Sequence, residues 1–263
     1  MHKGCILLII LLCPGTIIAA FLQLPPSATL AGTSSISLFD NSPASIFYNP
    51  ALFDKSACFK ISYSNPYSIP NLAQKNISFS YKIYKIKTAL GLQQFGNKIY
   101  QENTAILSIN HCLNEFLSLG ISYRFLQKSV KTFSNKSTHQ LDAGFKVDIK
   151  NITYAGSVIN LNFCKLNKEL LPQEFRNALM YHFSDNLKLG LGVVKQLNYP
   201  FSIKFATSYN PINLLKLSSG FQTEPHKLTA GVELKFFKAT FSYAVRVNRV
   251  LPLSHYVSLQ YPQ

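Results

Sequence analysis

The side chains with chemistry to offer in this chain are six histidines, five cysteines and a surplus of cations, 26 Lys and Arg against 11 Asp and Glu. Nucleophilic catalysis needs a Ser, Thr or Cys held against a general base. His111, His139, His182, His226 and His255 all have serines close by in sequence, but serine is frequent throughout, so the proximity carries little information. No GxSxG, HExxH, P-loop or strand–GxGxxG–helix pattern occurs. Cys58, Cys112 and Cys164 are far apart and lack a CxxC partner. That spacing supports neither a zinc site nor a disulfide framework, and they read as small apolar fillers. The expectation is a protein without catalytic residues, cofactor or metal.

The cations are the other chemical resource. The formal net charge is +15, a balance that often marks nucleic-acid binding. Here the lysines are scattered singly along alternating segments, so no nucleic-acid partner is expected. Stepping in twos along those segments puts Lys60, Lys82, Lys87, Arg124, Lys146, Arg176, Lys188, Lys204, Lys216, Lys227, Lys235 and Arg246 on the polar face. Asp142, Asp148 and Glu233 share that face. If the face lines an enclosed space, the space is basic and favours anions. The blander reading is that the lysines at strand ends are solvated or snorkel to headgroups.

The elements that position these charges follow from the pattern. The chain is 47% hydrophobic and 14% charged, against about 25% charged in a typical soluble domain, yet its mean hydropathy is only +0.10. Apolar residues are therefore spread out, with one exception: "CILLIILLCPGTIIAAFLQL", residues 5–24, preceded by His2 and Lys3. A basic start, an apolar core, a Pro14-Gly15 break and Ala19-Ala20 match an export signal. Cleavage is expected after Ala20, making residues 1–20 a signal peptide. About 20 apolar residues could also anchor the chain in a bilayer, but Pro14-Gly15 in the middle argues against that. Without Lys3 the chain carries 25 basic and 11 acidic residues, near +14.

From about residue 58 the chain alternates. In "EFLSLGISYRFLQ", Leu117, Leu119, Ile121, Tyr123 and Phe125 fall on one face, and Ser118, Gly120, Ser122 and Arg124 on the other. Successive side chains on opposite faces define a strand with one apolar side. About fourteen such segments follow one another through residue 261. In 151–163 the phase slips between Val158 and Ile159, which predicts a bulge, and Asn177 interrupts the apolar face of 173–183. Short connections alternate with mostly longer ones, as periplasmic turns alternate with outer loops in transmembrane barrels. A soluble sandwich would also alternate, with its apolar face inward. Segments of 9–12 residues, all alternating in one sense, instead predict strands spanning a membrane. The fold class expected is all-β: a transmembrane antiparallel up-and-down β-barrel of about 14 strands over residues 58–263. Outer-membrane lipids are its expected surroundings, and Tyr and Phe must form any interfacial girdle, because Trp is absent.

One stretch does not alternate. "LAGTSSISLFDNSPASIFYNPALF", residues 30–53, places Gly32, then Asp40-Asn41, Ala44-Ser45, Phe47 and Asn49-Pro50-Ala51 in order. Ser42 and Pro43 suit the N-cap and first position of a short helix, and Asn49-Pro50 suits its end. A fourteen-stranded barrel is wide enough to need filling. Residues 21–57 therefore read as a plug whose aromatic residues pack on the inner wall. This ordered run resembles the N-terminal segment of two related groups of outer-membrane barrels, the FadL long-chain fatty-acid transporter family and the PorV/PorQ family associated with type IX secretion. The compact size and short loops resemble PorV/PorQ more. That resemblance implies a non-enzymatic role in protein secretion or surface attachment, with secretion-system proteins or secreted cargo as partners. The FadL resemblance implies a passive carrier of hydrophobic small molecules, and a purely structural envelope barrel is a third reading. A carrier should hold an apolar pocket beside the plug, whereas a secretion component should be closed or polar inside and expose apolar patches on its loops. "CKLNKELLPQEF" is the only outer loop with apolar bulk. Two departures stand out: the segment lacks the common Met-Gly-Gly, and the chain ends "SLQYPQ" rather than on an aromatic residue.

Overall fold

The structure, a computed structural model, describes residues 21, 23–54, 57–84, 86–197 and 199–262; the expected export signal, residues 1–20, lies outside them. Fourteen strands close into one antiparallel barrel. The first seven are β1 (Cys58–Asn65), β2 (Gln74–Ile83), β3 (Ile86–Gly96), β4 (Tyr100–Cys112), β5 (Leu117–Val130), β6 (Lys136–Ile149) and β7 (Ile152–Ile159). A small hairpin, β8 (Lys165–Leu166) and β9 (Glu169–Leu170), stands in the loop that follows. The wall resumes with β10 (Glu174–His182), β11 (Leu187–Gln196), β12 (Ser202–Ile212), β13 (Leu215–Gln222), β14 (Lys227–Phe236), β15 (Ala239–Asn248) and β16 (Ser254–Tyr261). Each strand pairs with its chain neighbour in the wall, and β1 closes on β16 from Phe59↔Tyr261 to Asn65↔His255. Closure satisfies backbone groups that lipid cannot hydrogen-bond.

The alternation decides which face meets lipid. Phe59, Ile61 and Tyr63 of β1 are exposed on the outside, while Lys60, Ser62 and Ser64 are buried inside. The same split repeats on β2, where Ile77 and Phe79 face out and Asn76 and Ser78 face in. A continuous apolar belt around a whole molecule far exceeds the patch a soluble monomer exposes and is stable only against lipid. Tyr81, Tyr84, Phe116, Phe183, Phe236 and Phe237 are exposed at the short-turn end, forming an aromatic girdle there without tryptophan. Asn177 fits this face because the Tyr154 hydroxyl donates to its Oδ1 at 2.8 Å across the β7–β10 pair.

Three expectations change. β7 pairs in unbroken register with β6 as far as Val158 and with β10 as far as Ile159, so there is no bulge. The phase slips because Ile159 is an apolar residue pointing into the lumen, 1% exposed. The irregularity lies instead between β12 and β13, at Tyr209 to Ile212. The predicted strand over 151–163 ends at Ile159, and residues 160–173 form an outer loop carrying the β8–β9 hairpin. That loop turns part of its apolar bulk inward, Cys164, Leu166 and Leu171 packing with Leu126 of β5 and Phe21, while Leu161, Phe163 and Leu170 stay exposed.

Candidate functional site

The lumen is occupied by residues that precede β1. A one-and-a-half-turn helix, α1 (Ala28–Gly32), is capped by Ser27, whose Oγ accepts from the Leu30 amide. It packs on β14 and β15. Two 3₁₀ turns follow, Ser37–Phe39 and Pro43–Phe47, the second capped by Ser42 with Pro43 in its first turn. This segment adds no strand to the sheet. Leu30, Ile46, Phe47, Tyr48 and Phe53 form one apolar cluster with Ala89 and Ile106 of the wall. Ile36, Leu38, Phe39 and Leu52 form another with Ala155, Ala178, Met180 and Ala206.

Polar clasps fix the plug to the wall. Residues 21–54 contain two carboxylates, Asp40 and Asp54, and no Lys or Arg. Each carboxylate meets a wall lysine. Lys60 Nζ lies 2.9 Å from Asp40 Oδ2 and also donates to Ser42 Oγ at 3.1 Å, with both charged groups almost fully buried. Asp40 further accepts from Ser27 Oγ at 2.6 Å and from the Ser42 amide at 3.0 Å. Lys87 pairs with Asp54 at the more exposed lower rim. On the far wall Arg124 pairs with Asp142 and donates through Nη2 to the Phe47 carbonyl at 2.9 Å. Arg246 donates to Ser35 Oγ at 2.8 Å, and Thr229 Oγ1 donates to the Gly32 carbonyl at 3.0 Å.

Asn49-Pro50-Ala51 follows the second 3₁₀ turn, which closes at Phe47 with Tyr48 as its C-cap, and grips the wall. Asn49 Nδ2 donates to the carbonyls of Phe145 (3.3 Å) and Gly156 (3.1 Å), and its Oδ1 accepts from the Ala51 amide at 2.8 Å. Asn110 Nδ2 donates to the carbonyls of Ala51 (3.0 Å) and Phe53 (3.1 Å). The backbone passes so close that only glycine fits opposite it. A Cβ on Gly120 would stand 2.3 Å from the Pro50 carbonyl carbon, and one on Gly144 2.1 Å from Asn49 Oδ1.

The remaining charges divide by depth. Arg176 pairs with Glu174 and lies over the Tyr48 ring, 3.9 Å from its centroid. Lys204 is buried on the same side, without an ion pair among the described residues. Below the plug, towards the short turns, lies a cavity of about 740 Å³. Leu38, Phe39 and Leu52 form its roof, and Lys146, Lys150, Lys188, Lys216 and Lys235 stand around it with Asp148, Glu233 and His182. Lys146 pairs with Asp148 at 2.7 Å and Lys216 with Glu233 at 3.1 Å. Lys150, Lys188 and Lys235 have no such partner among the described residues. Lys82 lies in inward phase but is exposed at the end of β2, level with this rim, so it borders the lumen without being enclosed by it. The histidines are dispersed: His139 and His255 sit on the outer face against the Tyr123 and Tyr243 hydroxyls, and His182 lies at the cavity.

Asp40, Asn110, Ser157 and Thr229 are plug contacts that spacing alone does not single out. Asp40 had a signal: it is one of two acids in a cation-free segment facing a lysine-rich wall.

No family model matches the chain, and no curated protein matches its sequence. Solved structures do match its fold. A Pseudomonas aeruginosa FadL homologue aligns over 93% of this chain and 100% of its own, at 10% identity and a TM-score of 0.67. The CymD monoaromatic hydrocarbon channel aligns over 93% and 99%, at 11% identity and 0.67. The Pseudomonas putida toluene transporter TodX aligns over 89% and 97%, at 10% identity and 0.67. The wall from residue 58 onward is less than four-fifths of the chain, so a 93% match takes in part of the plug as well. The class is therefore a plugged, outer-membrane-type β-barrel. Within that class the fold is that of the FadL-type channels; the neighbours give no support to the PorV/PorQ side of the resemblance.

Proposed function

We propose that this protein is a plug-gated passive channel for small hydrophobic molecules in the outer membrane, working without catalysis. The observation that supports it is the plug itself. It fills a closed barrel, adds no strand to the wall and is held by separate side-chain clasps, so it can be displaced without breaking the sheet. The fold likeness to hydrocarbon and toluene channels supports the same reading. In the closed state described here the cavity below the plug is polar and lysine-lined rather than apolar. That lining suits hydrophobic molecules with an acidic end over neutral ones. A secretion component working through partners is the weaker alternative: Phe133, Phe163, Val250 and Leu251 are exposed on outer loops where a partner could dock, but the fold likeness to FadL-type channels does not favour it.

The test is accumulation of radiolabelled toluene and of a medium-chain fatty acid by cells with an intact lipopolysaccharide-containing outer membrane, with and without the protein. Uptake should rise with the protein and rise more for the acid. No rise for either, together with recovery of secretion proteins in a pull-down, overturns the proposal.

A further inference from the structure

The start of the described chain sits in an unexpected place. The Phe21 backbone nitrogen donates to Glu102 Oε2 at 3.0 Å. Glu102 lies on the lumen side of β4 near its outer end, 8% exposed, and also accepts from the Tyr100 hydroxyl. The Phe21 ring packs against Leu126 of β5 and against Cys164, Leu166 and Leu171 of the outer loop. Wall and loop thus provide one acceptor for this nitrogen and one apolar seat for this ring.

Glu102 is a carboxylate in need of a cation. It forms no ion pair with a side chain among the described residues. The nearest candidate is Lys128, its register partner on β5, whose Nζ is instead placed over the Tyr100 ring, 5.3 Å from the centroid. A nearly buried carboxylate bonded to an amide and a phenol, with the Lys128 ammonium acting only through space, is incompletely compensated. An α-ammonium group in place of that amide would compensate it with a charge-assisted hydrogen bond.

The sequence offers a route to that ammonium, since the small pair Ala19-Ala20, a cleavage-type signal, stands immediately before Phe21. Topology supports the same cut. Phe21 lies beyond the plug, at the long-loop end of the barrel, whereas a retained anchor in the inner membrane would hold the chain at the short-turn end.

We propose that Glu102 is the receptor for the N-terminus that the expected cut between Ala20 and Phe21 creates. An endopeptidase adds water across the Ala20–Phe21 peptide bond. The C–N bond breaks, the hydroxyl goes to the Ala20 carboxylate, and the Phe21 nitrogen leaves as an amine that is protonated at neutral pH. The product completes an ion pair that the precursor lacks, so processing fastens the outer end of the plug.

Two measurements on the membrane-purified protein test this. N-terminal sequencing should read Phe-Leu-Gln-Leu; any other first residue overturns the proposal. Acylation of the α-amine by a water-soluble succinimidyl ester near neutral pH should be slow in the folded protein. It should be about tenfold or more faster in Glu102→Gln, which keeps the shape and loses the charge. Equal rates in the two folded proteins overturn the receptor role. If Glu102→Gln does not assemble, wild type decides: an amine labelled as fast when folded as when denatured overturns it, and protection supports it.

Discussion

Replacing Lys60 with Met should open the channel. The side chain keeps its length and loses its charge, leaving Asp40 buried at 3% exposure with only the Ser27 hydroxyl and the Ser42 amide as donors. Removing one partner of a buried pair costs about 3–5 kcal/mol. Two surviving donors place this case near the lower end, about 3 kcal/mol. That is on the order of a hundredfold in the ratio of seated to displaced plug, at about 1.4 kcal/mol per decade. In planar bilayers wild type should be closed most of the time, and Lys60→Met should show frequent openings. Lys60→Met with Asp40→Leu replaces the pair by apolar groups, for which the cost is commonly small, and should return towards the closed state. A single variant as quiet as wild type, or a double variant as leaky as the single, would refute the reasoning. The pair also sets a pH response. Burial alone pushes the Asp40 carboxyl up, but the Lys60 ammonium and the hydrogen bonds from Ser27 and Ser42 outweigh it and hold it well below the usual value. A depressed carboxylate contributes fully above its unfolded value of about 3.9 and loses that contribution as pH falls through its folded value. Wild type should therefore stay closed from neutral pH down to about pH 4 and loosen only in stronger acid.

Other outcomes follow from the same contacts. Gly120→Ala drives a Cβ into the Pro50 backbone, which cannot rotate aside. It should weaken plug seating by about 1–3 kcal/mol, read as more frequent channel openings. Asn49→Ala removes the donor to the Phe145 and Gly156 carbonyls. It should cost about 1–3 kcal/mol and speed proteolysis of the plug in detergent. Reversing Lys188 and Lys235 to Glu in the Lys60→Met background should lower chloride relative to potassium permeability in reversal-potential measurements. An unchanged ratio would remove the cavity lysines from the conduction path.

Much of this architecture can be read from local pattern. Period-two alternation is a property of neighbouring residues, so Leu117 to Phe125 declare a strand and its lipid face without knowledge of any partner. Ser42-Pro43 and Asn49-Pro50 likewise mark the bounds of a turn inside the plug. Ile159 misled for the same reason. An inward apolar residue under a folded outer loop looks, in sequence, like a slipped strand.

The clasps were not legible, because barrel closure creates them. Asn49 reaches carbonyls 96 and 107 residues away, and the Ala28 amide donates to Ser258 across a separation of 230. Such pairs depend on register and on which strands enclose the plug, neither of which any sequence window encodes. The sequence determined that this chain builds a membrane wall and keeps one segment out of it, because strand sidedness and turn chemistry act between near neighbours. Only the tertiary structure decided what that segment does. Closing β1 on β16 brings Lys60, Lys87, Arg124 and the wall glycines around two carboxylates and a proline turn, and so makes a loose N-terminal stretch into a seated plug.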